Sequence, residues 1–187
     1  MSISGQIKNY FVDTTGLLLV SIPIAAAVEI FIIGLSISIS LESRIKVIAL
    51  AYLGLGLIYA KGRDFSKKLF KIEKNSSEKI RALHDSFYTV LFNIILSLII
   101  YLSSGANLSL AANGAVVIAI VSFISGPISG YSIDSFRDFT GTKNSDRKMP
   151  AFLKNAGSDA KKIISIVIVI TAVVATAGIY LIKSEFF

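Results

Sequence analysis

Five long apolar segments, separated by charged loops, dominate this sequence. A helix needs about 20 apolar residues to cross the hydrocarbon core of a bilayer. Charged residues make up only 17% of the 187-residue chain, whereas a soluble domain carries about 25%. We therefore predict an all-α polytopic membrane protein. Its five transmembrane helices are expected at Thr14–Ser36, Ile45–Ala60, Ser86–Ser104, Ala111–Ile133 and Ile163–Ile182.

The composition excludes several classes of active site. The chain has no cysteine and a single histidine, His84, so a thiolate nucleophile is excluded and a histidine-based metal site is not expected. The sequence contains no phosphate-binding loop and no hydrolase or zinc-protease motif. We therefore expect no enzyme activity, no metal and no cofactor. Basic loops beside anionic lipid headgroups explain the net charge of +7, and no nucleic-acid partner is expected.

Basic residues are distributed very unequally between two sets of loops. Sixteen of the 19 lysines and arginines lie before span one, between spans two and three, or between spans four and five. The positive-inside rule therefore predicts a cytoplasmic N-terminus in a cell inner (plasma) membrane. With five spans, the C-terminus is expected outside.

The two halves of the first 141 residues share a pattern. Each half (13–70 and 85–141) has an aspartate near its first helix, a glycine in its outer turn, and an aspartate followed three residues later by a cation. The pattern indicates either a parallel internal repeat, as in some transporters, or only the general likeness of helical hairpins. The matching charged residues are Asp13, Asp64 and Lys67 in the first half, and Asp85, Asp134 and Arg137 in the second.

This pattern leads to a division of the chain into three parts. Residues 1–141 are expected to form a four-helix membrane domain, and residues 142–162 a cytoplasmic loop. Residues 163–187 are expected to form a fifth, peripheral helix with the outer C-terminus.

Glu29 is the most informative single residue, because an ionisable side chain inside a membrane helix is by default a functional candidate. It lies in span one, near the outer end. One interpretation is a carboxylate that couples transport to protons or binds a substrate ammonium. The other is a structural ion pair with Arg44, which opens span two on the same side. A substrate that inserts between the two charges would combine both.

Span four contains a second unusual feature. Gly126-Pro127 predicts an interrupted helix, and Ser125 and Ser129 place hydroxyl groups at that position. Asn93 adds a polar amide to span three. These residues indicate either a substrate site or a close helix–helix contact.

Opposite charges also cluster near the cytoplasmic ends of the first four spans. They indicate either an inner gate, whose ion pairs break when the site faces the cytosol, or a solvated charged rim. The residues are Asp13, Arg63, Asp64, Asp85, Asp134 and Arg137.

Short motifs spread over residues 10 to 140 are similar to those of a known family. They are Asp13-Thr14, residues 28–36 (VEIFIIGLS), Ser43-Arg44, Gly62-Arg63-Asp64, Gly126, Gly130-Tyr131 and Asp134-x-x-Arg137. In these motifs the chain resembles the bacterial L-alanine exporter family. The resemblance implies a small inner-membrane exporter of L-alanine, driven by the proton gradient. It implies functional roles for Asp13, Glu29, Arg44, Arg63, Asp64, Asp134 and Arg137.

The leading hypothesis is a secondary active exporter of L-alanine or similar small amino acids, working as an antiporter with protons. Its partners would be the amino acid, protons and membrane lipids. Because two hairpins enclose little volume, we expect a homo-oligomer. The alternatives are an oligomeric channel or pore, and a non-transporting membrane scaffold.

Overall fold

The computed structural model describes residues 3–73 and 76–186, and those residues form helices, turns and loops without a strand. Five helical segments are long and apolar enough to cross a membrane, which confirms the predicted fold class. Lys74, one of the loop cations counted above, lies outside the described residues. The five segments are Ser4–Ile33, Ile37–Leu69, Glu78–Ser103, Leu108–Phe139 and Ser158–Glu185.

The first two spans each contain a π-helical turn. Helix α1 (Ile3–Val28) continues into the turn Glu29–Ile33. The second span consists of α2 (Ile37–Leu50), the turn Ala51–Leu55 and α3 (Gly56–Leu69). The remaining helices are α4 (Glu78–Ser103), α5 (Leu108–Phe139), the short α6 (Ala151–Lys154) and α7 (Ser158–Phe186).

Tight turns connect the spans of each hairpin. In the first, Gly34 has a φ of 76°, and the Leu35 N–H donates to the Glu29 carbonyl at 2.8 Å. In the second, Gly105 has a φ of 89°. Glycine adopts this left-handed conformation without the steric cost that a side chain brings. Ser36 and Asn107 then cap α2 and α5 by accepting backbone N–H groups.

Most spans extend beyond the predicted boundaries, chiefly toward their charged ends. Asp13 and Asp85, expected at the start of spans one and three, lie inside α1 and α4. Hydropathy alone ends a span where charges begin. Here the charges are paired with one another, so the helices continue past them.

The interruption predicted at Gly126-Pro127 is wrong, because α5 runs as one helix from Leu108 through Pro127 to Phe139. Proline within a membrane helix is tolerated when local adjustments satisfy the freed backbone groups. The irregular backbone lies in the π-helical turns of the first two spans instead, and a non-helical residue occurs inside the turn of the second. There Gly54 has a φ of 138°, which an L side chain rarely adopts.

The helices pack as two hairpins with α7 beside them. Helix α4 packs along α5, and α1 packs against α5 and α7. A core cluster that includes Val28, Leu35 and Tyr101 lies near the turns at Gly34 and Gly105. We call this the turn end of the bundle. The opposite end, which contains Asp64, Asp85 and Asp134, is called the charged end.

Candidate functional site

A small cavity of about 80 Å³ lies inside the bundle, bordered by α1, the second span, α4 and α5. This is several times the volume that one water molecule requires. Aliphatic side chains, such as Ala25, Leu96 and Ile118, form much of its wall. The polar residues that line it are Ser21, Arg44, Thr89, Asn93, Ser97, Tyr101, Ser122, Ser125 and Ser129.

At the turn end, Arg44 forms a buried ion pair with Glu29. The Glu29 carboxylate accepts from Arg44 Nη2 at 2.5 Å and from the Ser40 hydroxyl at 2.7 Å. Ser40 and Arg44 are four residues apart on α2, so both side chains lie on the helix face that Glu29 contacts. The Tyr101 hydroxyl also lies close to this carboxylate.

Arg44 retains an unused donor. Its Nε atom is buried and has no hydrogen-bond partner among the described residues. The whole side chain is only 8% exposed. Leaving a buried charged donor unsatisfied costs more than 1 kcal/mol in typical cases. Arg44 lines the cavity, whereas Glu29 lies behind it and does not. The cavity therefore ends at a guanidinium that has capacity to bind a small anion.

At the charged end, Arg63 lies fully buried between two aspartates. It donates to both carboxylate oxygens of Asp85, at 2.8 and 3.0 Å. It also donates to Asp134 at 3.1 and 3.3 Å, and to the Gly130 carbonyl at 3.2 Å. All three guanidinium nitrogens of Arg63 are therefore engaged. Arg63 joins α3 to both helices of the second hairpin.

A second arginine, Arg137, connects the hairpins in the opposite direction. It donates to Asp13 at 2.5 and 2.7 Å, and to Asp64 at 3.2 Å. Lys67, its counterpart in the first half, lies 3.5 Å from Asp85, the counterpart of Asp13. Each half thus supplies a cation to the first aspartate of the other. The internal repeat itself stays a prediction.

A third arginine reaches this cluster from the segment between α5 and α7. Arg147 donates to Asp85 at 2.5 Å, to Asp134 at 3.0 Å and to Glu78 at 3.0 Å. Burial alone would lower the pKa of Arg147, but the neighbouring Asp134 and Asp85 hold it above its ordinary value. We call the whole cluster the charged layer: Asp13, Arg63, Asp64, Lys67, Asp85, Asp134, Arg137 and Arg147.

The charged layer separates the central cavity from a second cavity at the charged end. The second cavity measures about 740 Å³, and its lining includes Asp64, Asp134 and Arg137. Ser129, which lines the central cavity, precedes Asp134 by one and a half turns of α5, a rise of about 8 Å. The ion pairs of Arg63 with Asp85 and Asp134 lie between these two levels.

Glycines bring α5 close to this layer. A Cβ on Gly126 would lie 2.6 Å from the Asp85 carbonyl oxygen, and one on Gly130 would collide with the Asp85 carboxylate. Gly126 therefore serves the contact between α4 and α5 and does not line the cavity.

Comparison with known proteins shows the family of the chain. The sequence model of the AlaE family, described as L-alanine exporter, matches residues 2–142. The chain belongs to this L-alanine exporter family. The same comparisons found no matching curated protein and no matching solved structure.

The structure brings the predicted residues of this exporter family member into two groups. Arg44, Asn93, Ser125 and Ser129 line the central cavity, with Asn93 donating to Ser122 at 2.8 Å. Glu29 contacts Arg44 behind the wall, and Gly126 and Pro127 do not line the cavity. All six residues predicted for a gate lie in the charged layer. Their functional roles stay predictions.

Four contact residues of these groups were not predicted from the sequence. Arg147 joins the charged layer. Ser40 and Tyr101 lie beside Glu29, and Tyr180 contacts Ser40. Residues of these types are common in such segments, and nothing in their sequence positions indicates that they contact distant residues. No group of His, Asp and Glu that could hold a metal ion occurs in residues 3–73 or 76–186.

Proposed function

We propose that the protein is a secondary active exporter of L-alanine or similar small amino acids, coupled to protons. Membership of the exporter family supports amino-acid export. The observation that carries the proposal further is the buried Glu29–Arg44 pair at the end of a small, mostly apolar cavity. The cavity offers charges for a zwitterion and space for a short side chain.

The substrate inserts between the two charges. Its carboxylate binds Arg44, which retains an unused donor at Nε. As the Arg44–Glu29 contact loosens, the substrate ammonium takes the place of the guanidinium on Glu29. The Asn93 amide, which contacts Ser122, lies nearer this pair than do the hydroxyl groups of Ser125 and Ser129, which line the cavity further toward the charged end. The aliphatic wall contacts the methyl group.

Competition for Glu29 couples the two fluxes. The ionised carboxylate binds the substrate ammonium, whereas a proton on Glu29 removes that attraction. Substrate and proton therefore occupy the site in turn, which is the requirement for antiport. A ligand shifts the equilibrium between two states only by the difference in its affinity for them. Here the two states are ionised and protonated Glu29, and the ligand is the substrate ammonium.

The charged layer closes the cavity on one side in this arrangement. We propose that the charged end faces the cytoplasm, because most cations of the loops lie there. Ion pairs connect the two hairpins, and Arg63 is fully buried. These contacts support a gate better than a solvated charged rim, whose charges would be exposed. They also favour a transporter over an open pore.

The proposed organisation of the chain follows the same contacts. Residues 1–141 form the transport domain, within which the crosswise contacts of Lys67 and Arg137 support a parallel repeat. Residues 142–162 form a cytoplasmic loop, and 163–187 supply an accessory helix. The exposed apolar side chains of α7 offer a surface for lipid or for another copy.

The decisive measurement is efflux of radiolabelled L-alanine from loaded proteoliposomes under an imposed proton gradient. We expect the gradient to accelerate efflux by the native protein, and Glu29→Gln to lose this dependence. Glu42→Gln is the matched control, because Glu42 is an exposed carboxylate on α2 that pairs with Lys46 at 2.7 Å. Absence of efflux by the native protein would overturn export. Equal gradient dependence in Glu29→Gln would remove Glu29 from the coupling.

A further inference from the structure

Arg147 stands apart from the other members of the charged layer. It lies in the segment between α5 and α7, beyond residues 2–142 that match the exporter family. Its side chain is nevertheless 3% exposed and contacts Asp85, Asp134 and Glu78. The same segment is held to α5 by the Tyr131 hydroxyl, which donates to the Lys148 carbonyl.

The other charges of the layer do not balance without Arg147. Four aspartates then face three cations, namely Arg63, Lys67 and Arg137. Arg63 already forms a two-bond contact with Asp85, so the layer stays connected when Arg147 leaves. What Arg147 adds is one positive charge beside Asp85 and beside Asp134, the aspartate that lines the second cavity.

Arg147 also has a partner to which it can withdraw. Glu78 begins α4 and is 38% exposed, whereas Asp85 lies seven residues further along the same helix and is fully buried. The distance between these levels is about 10 Å along the helix axis. A guanidinium released by Asp85 and Asp134 can therefore keep its outer ion pair.

We propose that Arg147 is a tethered cation that closes the charged end, and that the substrate ammonium displaces it from Asp85 and Asp134 on the way to the central cavity. This inference rests on the proposed export function only for the identity of the displacing ligand. Within the charged layer, the vacated site carries one excess negative charge, and it lies beside the second cavity, which Asp134 and Arg137 line. It would accept a small organic ammonium and would repel a small anion.

The absence of native cysteine makes the inference directly testable. Ser125→Cys places one thiol at the central cavity, and its labelling rate is measured with membrane-impermeant methanethiosulfonate reagents, one cationic and one neutral. The reagents are applied from each face of vesicles. We expect Arg147→Ala to raise cationic labelling from the charged end roughly tenfold, as loss of about 1.4 kcal/mol of closure would. The neutral reagent should gain less.

Three controls separate gating from general loosening. Arg147→Lys retains the charge, so its labelling rate should stay near that of the protein with Arg147. Lys154→Ala removes an exposed cation of the same segment, and its labelling rate should also stay unchanged. Ser38→Cys reports the turn end and should label equally with and without Arg147. Unchanged cavity labelling in Arg147→Ala would overturn the inference. An equal gain for both reagents, or a gain from both faces, would also overturn it.

The labelling assay needs no alanine, so its outcome is independent of the export assay. Faster labelling of Arg147→Ala together with no alanine efflux by the native protein would retain the gate and reject the proposed export. Efflux with unchanged labelling would reject the gate alone.

Discussion

The two ends of the bundle bury charge in different ways. At the charged end, Asp85 and Asp134 each contact two or more cations, and the contacts join α1, α3, α4, α5 and the segment after α5. At the turn end, a single carboxylate contacts a single guanidinium within one hairpin. In the first arrangement, the charge of each of these aspartates is balanced by several partners. The second depends on one pair.

Two of the buried arginines, Arg63 and Arg44, illustrate the consequence. Every guanidinium nitrogen of Arg63 has a protein partner, whereas Nε of Arg44 has none among the described residues. A fully engaged arginine is suited to hold helices together. One with an unused donor beside a cavity is suited to bind a ligand. The comparison therefore supports our proposal that the charged end closes the cavity and that the turn end binds the substrate.

The largest effect is expected from Arg63→Gln. It leaves the buried Asp85 and Asp134 with fewer cations, and breaking a buried ion pair costs about 3–5 kcal/mol. We expect a large loss of folded protein in detergent, measured by size-exclusion yield and apparent unfolding temperature. Lys61→Gln, an exposed cation on the same helix, is the control. An Arg63→Gln variant with native stability would show that the charged layer is not structural.

A smaller and different response is expected from the turn-end pair. Glu29→Gln and Arg44→Gln each leave one buried charge without its partner, whereas the double variant leaves none. We therefore expect each single variant to be destabilised by about 1–3 kcal/mol and the double variant by less than the sum. Thermal unfolding of the four proteins measures the coupling. Strictly additive losses would mean that the two charges do not interact as the geometry indicates. Acceleration of alanine efflux by the proton gradient should be lost in all three variants.

Apolar length and charge spacing were sufficient to predict much of this structure. The five spans follow from hydropathy, and the six gate candidates follow from opposite charges near the span ends. The boundaries were less accurate, because a hydropathy pattern cannot show that Asp13 and Asp85 are paired inside their helices. Prediction of a break at Pro127 failed for a related reason. Proline disfavours a regular helix locally, but packing decides whether the helix continues.

Contacts between distant segments could not be predicted from the sequence. Arg147 and Asp85 are 62 residues apart, and Ser40 and Tyr180 are 140 residues apart. Neither pair has a spacing that helix geometry relates. The sequence also left open whether Gly126 belongs to a substrate site or to a helix–helix contact, and in the structure its missing side chain permits the backbone of α4 to approach. Only the three-dimensional arrangement distinguishes these two uses of a small residue.

The smallest effect is expected from Tyr180→Phe in α7, outside the matched region. The Ser40 hydroxyl donates its hydrogen to Glu29, so the Tyr180 hydroxyl, 3.1 Å away, must donate to Ser40. A hydrogen bond between membrane helices contributes about 0.6 kcal/mol on average, so transport should slow about two- to threefold without unfolding. The control is Thr176→Ala, which removes an α7 hydroxyl bonded to the backbone of its own helix. If the two variants transport equally well, α7 does not assist the turn-end pair. A selective loss in Tyr180→Phe would make the turn-end site depend on a helix from outside its hairpin, as the charged layer depends on Arg147.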